Sequence, residues 1–195
     1  PDDTKEHPMR KTKLQLQITV DGYMAGPNGE MDWLTMPWTD DLNSYVDGLW
    51  DPVDTIVLGR KLAEGFIPAW ESGPEGEDQA SIDKMNDTPK VVISNSLTES
   101  PWKNATVTGG ALTEIVNDLK GKPGGDIMVA GGGTLVRGLI AEGLLDEFHL
   151  FVNTAALGAG MPVFPRLDAN QQLRLVHAQQ FDCGIVGLHL EPVRS

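Results

Sequence analysis

Short apolar runs of strand length alternate with longer amphipathic segments along most of this chain, and the alternation stops near its C-terminus. The runs at 55–58 and 91–94 are rich in β-branched residues and bounded by turn formers, as buried strands of parallel sheets are. Near the end, segments 172–181 and 184–193 flank a turn at 182–184, which predicts an antiparallel hairpin. Together these features predict an α/β fold with a mixed sheet.

Apolar periodicity predicts the other elements. Residues 13–20 alternate apolar and polar side chains, which predicts a strand. Helical spacing of apolar residues predicts helices over Asp40–Trp50, over 112–119 and over 134–142. By contrast, residues 71–87 are acidic, contain glycine and lack an apolar period, so we expect an irregular excursion there.

The length of 195 residues and the 40% hydrophobic content suit a single domain with a substantial core, which we place at residues 13–195. Residues 1–12 are polar and charged, so we expect a flexible tail. There is no signal peptide and no apolar run of about 18 residues, which predicts a soluble cytoplasmic protein.

Composition excludes several classes of function. The single cysteine, Cys183, excludes an intrachain disulfide and any cysteine-based metal site. A net charge of -13 disfavours binding to nucleic acid or to an anionic membrane. Any anionic ligand must therefore meet positive charge that is concentrated locally.

Three consecutive glycines, Gly131, Gly132 and Gly133, separate an apolar run from a helix that begins near Thr134. They fit either a tight strand-to-helix turn or a phosphate that lies against bare backbone N–H groups. The dinucleotide fingerprint G-x-G-x-x-G fails because Val136 occupies its third glycine position, and a P-loop fails because no lysine precedes Thr134. The positive end of a helix dipole remains as an anion site.

Polar groups follow two further predicted strands. A phosphate or ribose could bind there, because open α/β sheets hold ligands at the carboxyl ends of their strands. Equally, the basic residues Arg60 and Lys61 could form a solvated face, and the polar residues Ser94–Ser96 could form an ordinary turn. The first set consists of Gly59, Arg60 and Lys61, and the second of Ser94, Asn95 and Ser96.

The order of the segments "ITVDGYMAGPNGEMDW", "DTIVLGRKLAEGF", "KVVISNSL", "IMVAGGGTLVRGLIAEGLLDEFHL" and "LGAGMPVFP" resembles the dihydrofolate reductase-like superfamily. The closest resemblance is to the branch that includes the reductase domain of riboflavin biosynthesis. It implies a mixed, mainly parallel eight-stranded sheet flanked by helices, NADPH bound across the strand ends, and a homodimer. It also implies that Arg60 and Lys61 face the adenosine 2′-phosphate, Ser94–Ser96 the adenosine side, and Gly131–Thr134 the diphosphate.

The resemblance also suggests where the chemistry occurs. Asp41 matches the acid that begins the pterin-binding helix, so we expect it to donate a proton or to orient the substrate, with its pKa raised by desolvation. Alternatively, Asp41 only favours the helix N-terminus through the dipole. Asp21, at the end of the first strand, is the second catalytic candidate or fixes its loop. Both Trp33 and Trp38 lie where the superfamily's active-site loop carries a tryptophan; Trp33 fits better, and Trp38 could equally be a core residue. We therefore predict that Trp33, together with Tyr45 one turn after Asp41, lines the substrate cleft.

Departures from the superfamily pattern limit the assignment. Phe151, a third predicted substrate-binding residue, occupies the position of a threonine that supports the pterin in dihydrofolate reductases. His149 and His189 lie among apolar residues and are predicted to be structural. No histidine and carboxylate residues have metal-ligand spacing, so no metal is predicted.

Three functions remain open from the sequence: an NADPH-dependent reductase acting on a small heterocycle or on a carbonyl or imine compound, dihydrofolate reductase itself, and a non-catalytic cofactor-binding protein. Riboflavin-pathway reductases place arginines on and after the first helix to hold a ribose phosphate. Here that helix has no Arg or Lys and instead carries Asp40, Asp41 and Asp47, and Asp51 and Asp54 follow it. We therefore expect a substrate without a terminal phosphate.

Overall fold

The computed structural model describes residues 9–164 and 167–194. Within these residues the chain forms ten strands and five helices. The strands are β1 (Thr12–Thr19), β2 (Tyr23–Ala25), β3 (Val53–Gly59), β4 (Lys90–Ile93), β5 (Ala105–Thr108), β6 (Asp126–Gly131), β7 (Glu147–Asn153), β8 (Met161–Pro162), β9 (Leu173–Gln180) and β10 (Val186–Pro192). The helices are α1 (Asp40–Trp50), α2 (Arg60–Glu71), α3 (Gln79–Asp87), α4 (Leu112–Lys120) and α5 (Gly133–Ala141).

Eight strands form one sheet in the order β5-β4-β3-β6-β1-β7-β10-β9, and β2 pairs with β8 in a separate two-stranded sheet. All neighbours from β5 to β7 are parallel, whereas β10 runs antiparallel to both β7 and β9. The prediction of a mainly parallel eight-stranded sheet that ends in an antiparallel hairpin is confirmed.

Helices cover both faces of the sheet and form two hydrophobic layers. One layer packs α4 and α5 against the even-numbered core residues of β1 and β7, such as Leu14 and Phe148. The other packs α1 and α2 against β3, β4 and β6, with Leu42 and Ile67 among its buried residues. Within the described residues, no helix is long and apolar enough to cross a membrane.

Residues 71–87 depart from the prediction, because they contain the helix α3. Asp78 caps it by accepting a hydrogen bond from the Ser81 backbone N–H (2.8 Å). None of its residues is buried, so it lacks the apolar stripe by which a helix is recognised in a sequence.

The tail boundary also shifts. Thr12 begins β1, and the Arg10 side chain is only 5% exposed, with hydrogen bonds to the backbone oxygens of Leu119 and Gly125. Arg10 and Thr12 therefore pack with the domain instead of belonging to a tail. Residues 1–8 of the predicted tail lie outside the described residues.

The parallel strands place their carboxyl ends at one edge of the sheet, here called the carboxyl edge. At this edge the central strands β3 and β6 are neighbours, and Leu58 is in register with Gly131. The turns from β3 to α2 and from β6 to α5 consequently lie side by side.

Candidate active site

The glycine run contacts the neighbouring turn through its backbone. Gly132 adopts φ 100° and ψ 99°, and a Cβ at this position would lie 3.3 Å from both the N and Cα atoms of Gly59. A Cβ at Gly131, where φ is 131°, would lie 3.2 Å from the Leu62 side chain. The tight strand-to-helix turn is therefore real, and the close backbone of Gly59 is one reason why Gly132 lacks a side chain.

Helices α2 and α5 both begin at this contact. Neither Gly59 nor Gly132, the N-cap residues of α2 and α5, supplies a side-chain cap, and neither helix has an acidic residue in its first turn. The first hydrogen bond of α5 runs from the Val136 N–H to the Gly132 oxygen, so the N–H groups before Val136 have no partner within the helix. Both positive dipole ends can therefore stabilise an anion at the carboxyl edge.

The basic pair lies at the start of α2. Arg60 donates to the Glu64 carboxylate (2.5 Å), an exposed pair one helical turn apart. Lys61 is exposed and forms no ion pair with any residue that the structure describes. An approaching phosphate would thus meet Lys61 directly and would compete with Glu64 for Arg60.

The polar set after β4 is bonded locally. The Ser94 hydroxyl accepts hydrogen bonds from the backbone N–H groups of Ser96 and Leu97 at 3.2 and 3.1 Å. The Asn95 side-chain oxygen accepts from the Gly110 N–H at 2.9 Å. These contacts form an ordered polar turn. Because β4 pairs with β3, this turn lies beside the start of α2.

Asp21 fixes a loop. Its carboxylate accepts hydrogen bonds from the Thr19 hydroxyl (2.6 Å) and from the backbone N–H groups of Leu157 and Gly158. The bond from Thr19, followed by that from Gly158, lowers the pKa of the Asp21 carboxyl. An ionised Asp21 holds the segment after β7 against the end of β1.

Asp41 joins the start of α1 to the hairpin turn. One carboxylate oxygen accepts from the Thr39 hydroxyl (2.6 Å), and the other accepts from the backbone N–H of Asp182 (2.9 Å). The Thr39 bond, followed by the Asp182 bond, lowers the pKa of Asp41. The expected rise by desolvation is wrong, because the carboxylate is solvated and surrounded by donors.

The predicted cleft residues are buried to different degrees. Trp33 is buried, and its indole N–H has no hydrogen-bond partner among the described residues. Tyr45 packs edge-on against Phe151 and Phe181, with ring centroids 6.0 and 5.4 Å away. Phe151 is 1% exposed, so it supports Tyr45 from within the core and presents no surface to a substrate.

A pair of amides was missed by the sequence analysis. The Asn153 side chain, at the end of β7, donates to the Gln17 side-chain oxygen (2.7 Å) on β1. The Gln17 amide nitrogen is buried and has no hydrogen-bond partner within the described residues. The local pattern gave no sign of this pair, since Gln17 is one of the alternating polar residues of β1 and Asn153 is 136 residues away.

The sequence spacing gave no sign of a cluster of histidine and carboxylate residues, but the structure contains one. The fold brings the ligand atoms of Glu147, His149 and His189 within 4.8 Å of one another. His189 comes from a different strand, so sequence spacing could not reveal the cluster.

Comparison with known proteins identifies the family. The model of the RibD C-terminal domain matches residues 10–187. Two Bacillus subtilis (strain 168) proteins, both described as uncharacterized, are similar over nearly the full length. YyaP is 34% identical over 184 residues, covering 91% of this chain and 92% of YyaP, and YwjB is 30% identical over 172 residues, covering 88% and 92%.

Solved structures share the fold. A putative riboflavin biosynthesis protein from Shewanella sp. PV-4 superimposes with a TM-score of 0.76 at 22% identity, covering 94% of this chain and 99% of that one. Dihydrofolate reductase from Enterococcus faecalis superimposes with a TM-score of 0.60 at 16% identity, covering 93% and 96%. These structures confirm the dihydrofolate reductase-like fold, and the match to the RibD C-terminal domain confirms the resemblance to the riboflavin reductase branch.

Proposed function

Because this chain belongs to the family of RibD C-terminal domains, we propose that it is an NADPH-dependent reductase that acts on a small heterocycle or on a carbonyl or imine compound. The observation that carries the proposal is the pair of adjacent helix N-termini at Gly59 and Gly132, uncapped by side chains and free of acidic residues in their first turns. We further propose that it forms a homodimer, as the resemblance implies.

The residues at the carboxyl edge fit this cofactor. The free N–H groups at the start of α5, including that of Thr134, would hold the diphosphate. Arg60 and Lys61 would hold the 2′-phosphate, and Ser94–Ser96 would lie on the adenosine side. Bound NADPH would supply the hydride, while the protein would orient both reactants and exclude water.

The substrate would bind between the start of α1 and the sheet. An ionised Asp41 is suited to accept a hydrogen bond from an N–H group of a heterocycle, which makes it an orienting residue in this proposal. The N–H donors of Trp33 and Gln17, which have no hydrogen-bond partner among the described residues, are suited to bind substrate oxygen or nitrogen acceptors.

The proposed activity is tested by following NADPH oxidation with a panel of heterocyclic, carbonyl and imine substrates, with dihydrofolate as a separate arm. Turnover of a panel compound, with dihydrofolate inactive or much slower, would support the proposal. Preferred turnover of dihydrofolate would replace it with dihydrofolate reductase activity. Tight NADPH binding without turnover of any compound would indicate a cofactor-binding protein instead.

NADPH is expected to bind more tightly than NADH by about 10- to 150-fold, because each charge-assisted bond to the 2′-phosphate contributes about 1.5–3 kcal/mol. Arg60→Ala should remove much of this preference in calorimetric titrations. Lys122→Ala is the matched control, since it breaks another exposed pair one helical turn apart, with Asp118, elsewhere on the surface. Equal affinities for the two cofactors would contradict the assignment of the basic pair.

Asp41→Asn is expected to lower kcat/KM by about 10- to 150-fold, the loss of one charge-assisted bond to the substrate, with little change in NADPH affinity. Asp40→Asn is the control, because this exposed neighbour makes no side-chain hydrogen bond among the described residues. Unchanged turnover of the Asp41 variant would show that this carboxylate only anchors the hairpin turn.

Fewer carboxylates than the sequence suggested lie where they could repel a terminal phosphate of the substrate. Asp51 and Asp54 follow α1 at the edge opposite to the carboxyl edge, and Asp54 is paired with Arg10, so they do not repel a substrate. What remains are Asp40 and Asp41 at the start of α1 and the exposed Asp47 further along it, within residues 20–59 that contain no Lys or Arg. The preference for a substrate without a terminal phosphate is tested by comparing phosphoribosyl and ribosyl pyrimidines under NADPH saturation. A higher kcat/KM for the phosphorylated compound would reject this preference.

A further inference from the structure

Glu147, His149 and His189 form a compact cluster on one face of the sheet, here called the His-Glu cluster. Glu147 and His149 are alternate residues of β7 and so point to the same face, and His189 of β10 is in register with His149. The Nε2 atom of His149 lies 2.9 Å from Oε2 of Glu147, and the Nε2 atom of His189 lies 3.5 Å from the same oxygen.

This cluster is removed from solvent and has unused ligand capacity. Glu147 is 4% exposed and His149 5%, while the His189 side chain is 18% exposed. Within the described residues, the buried Nε2 atom of His189 and Nδ1 atom of His149 have no hydrogen-bond partner. Buried nitrogens without partners are costly, so a ligand for the His189 nitrogen would stabilise the fold.

We propose that the His-Glu cluster binds one Zn²⁺ ion through the Nε2 atoms of His149 and His189 and Oε2 of Glu147. Zinc bonds of about 2.0–2.2 Å in a tetrahedral site place the ligand atoms about 3.4 Å apart. The separations of 2.9 and 3.5 Å bracket that value. Two imidazoles and one carboxylate form a donor set that suits zinc, with a water molecule as the fourth ligand.

Two lysines near the cluster leave the proposed ligand atom accessible. Lys11 binds the other carboxylate oxygen, Oε1, at 2.6 Å. Lys13 pairs with Asp126 at 2.7 Å and lies 3.7 Å from Oε2 of Glu147, beyond hydrogen-bond distance. The alternative is a metal-free network in which Lys13 and the two histidines share the carboxylate.

The position of the site assigns it a structural role. Glu147 is the first residue of β7, so the cluster lies toward the edge opposite to the carboxyl edge and away from the proposed cofactor. The ion would join β7 to β10 and thereby fix the C-terminal hairpin to the parallel part of the sheet. Its effect would appear in stability and would not depend on reductase turnover.

Zinc binding to the untagged, metal-stripped full chain is measured by calorimetry and by metal analysis after dialysis. We expect one ion per chain, and a rise in Tm of about 5 to 10 °C at a zinc concentration about 100-fold above Kd. Cobalt should give the intense visible absorption of a tetrahedral site. Neither readout requires NADPH, so the proposal is tested independently of the reductase assignment.

His189→Gln and His149→Gln should lose the stoichiometric ion and the zinc-dependent rise in Tm. His177→Gln is the matched control, because His177 lies in register with His189 on β9 and is exposed. If His149→Gln fails to fold, the partly exposed His189 variant alone decides the result. No stoichiometric binding by the unaltered chain, or equal binding by the His189 and His177 variants, would overturn the proposal in favour of the metal-free network.

Discussion

Gly132→Val is expected to abolish NADPH binding and to lower the free energy of unfolding by about 2–6 kcal/mol. Gly132 adopts φ 100° and ψ 99°, a conformation that a β-branched residue cannot reach without strain. A Cβ would also lie 3.3 Å from the N and Cα atoms of Gly59, so the two strand-to-helix turns would be forced apart. Both helix N-termini would then lose their common position. Calorimetric titration and denaturant unfolding measure the two effects.

Gly143→Ala is the control that separates strain from contact. Gly143 also has a positive φ, 66°, but a Cβ there would meet no atom within 4 Å. We expect a cost of about 1–2 kcal/mol and unchanged NADPH affinity. NADPH binding that survives Gly132→Val in a folded protein would contradict the assignment of the diphosphate to this turn.

Local periodicity predicted the helices well where one face is buried. Helix α1 has the predicted bounds, Asp40–Trp50, because Leu42, Val46 and Leu49 repeat at helical spacing and all three are buried against the sheet. The hairpin of β9 and β10 was likewise predictable, since strand-like segments flank a single short turn. In both cases the signal lies within a few consecutive residues.

Features that depend on distant partners could not be predicted. The pKa of Asp41 is lowered first by the hydroxyl of Thr39, which is two residues away, and then by the backbone of Asp182, which is 141 residues away; only the second contact depends on the folded chain. The His-Glu cluster likewise exists only because β10 pairs with β7. Helix α3 was not predicted for a different reason: a helix that buries no residue has no apolar periodicity in its sequence.

Arg10→Met is expected to lower the free energy of unfolding by about 2–4 kcal/mol, although Arg10 was assigned to the tail. Its guanidinium pairs with Asp54 and donates to the Thr55 hydroxyl at 2.7 Å. It also donates to the backbone oxygens of Leu119 (3.1 Å) and Gly125 (2.6 Å). It therefore joins the beginning of β3 to the end of α4 and the beginning of β6. Methionine would keep much of the apolar volume but leave four acceptors without this donor.

Arg174→Met is the matched control, because Arg174 is also paired with a carboxylate, that of Glu191, but its side chain is 63% exposed. An exposed pair contributes about 0–1 kcal/mol, so this variant should unfold at nearly the denaturant concentration of the unaltered chain. Urea unfolding of the two variants, followed by tryptophan fluorescence, compares a buried and an exposed arginine directly. Equal small losses would mean that Arg10 does not hold the strands together, and that the folded domain begins after it as the sequence predicted.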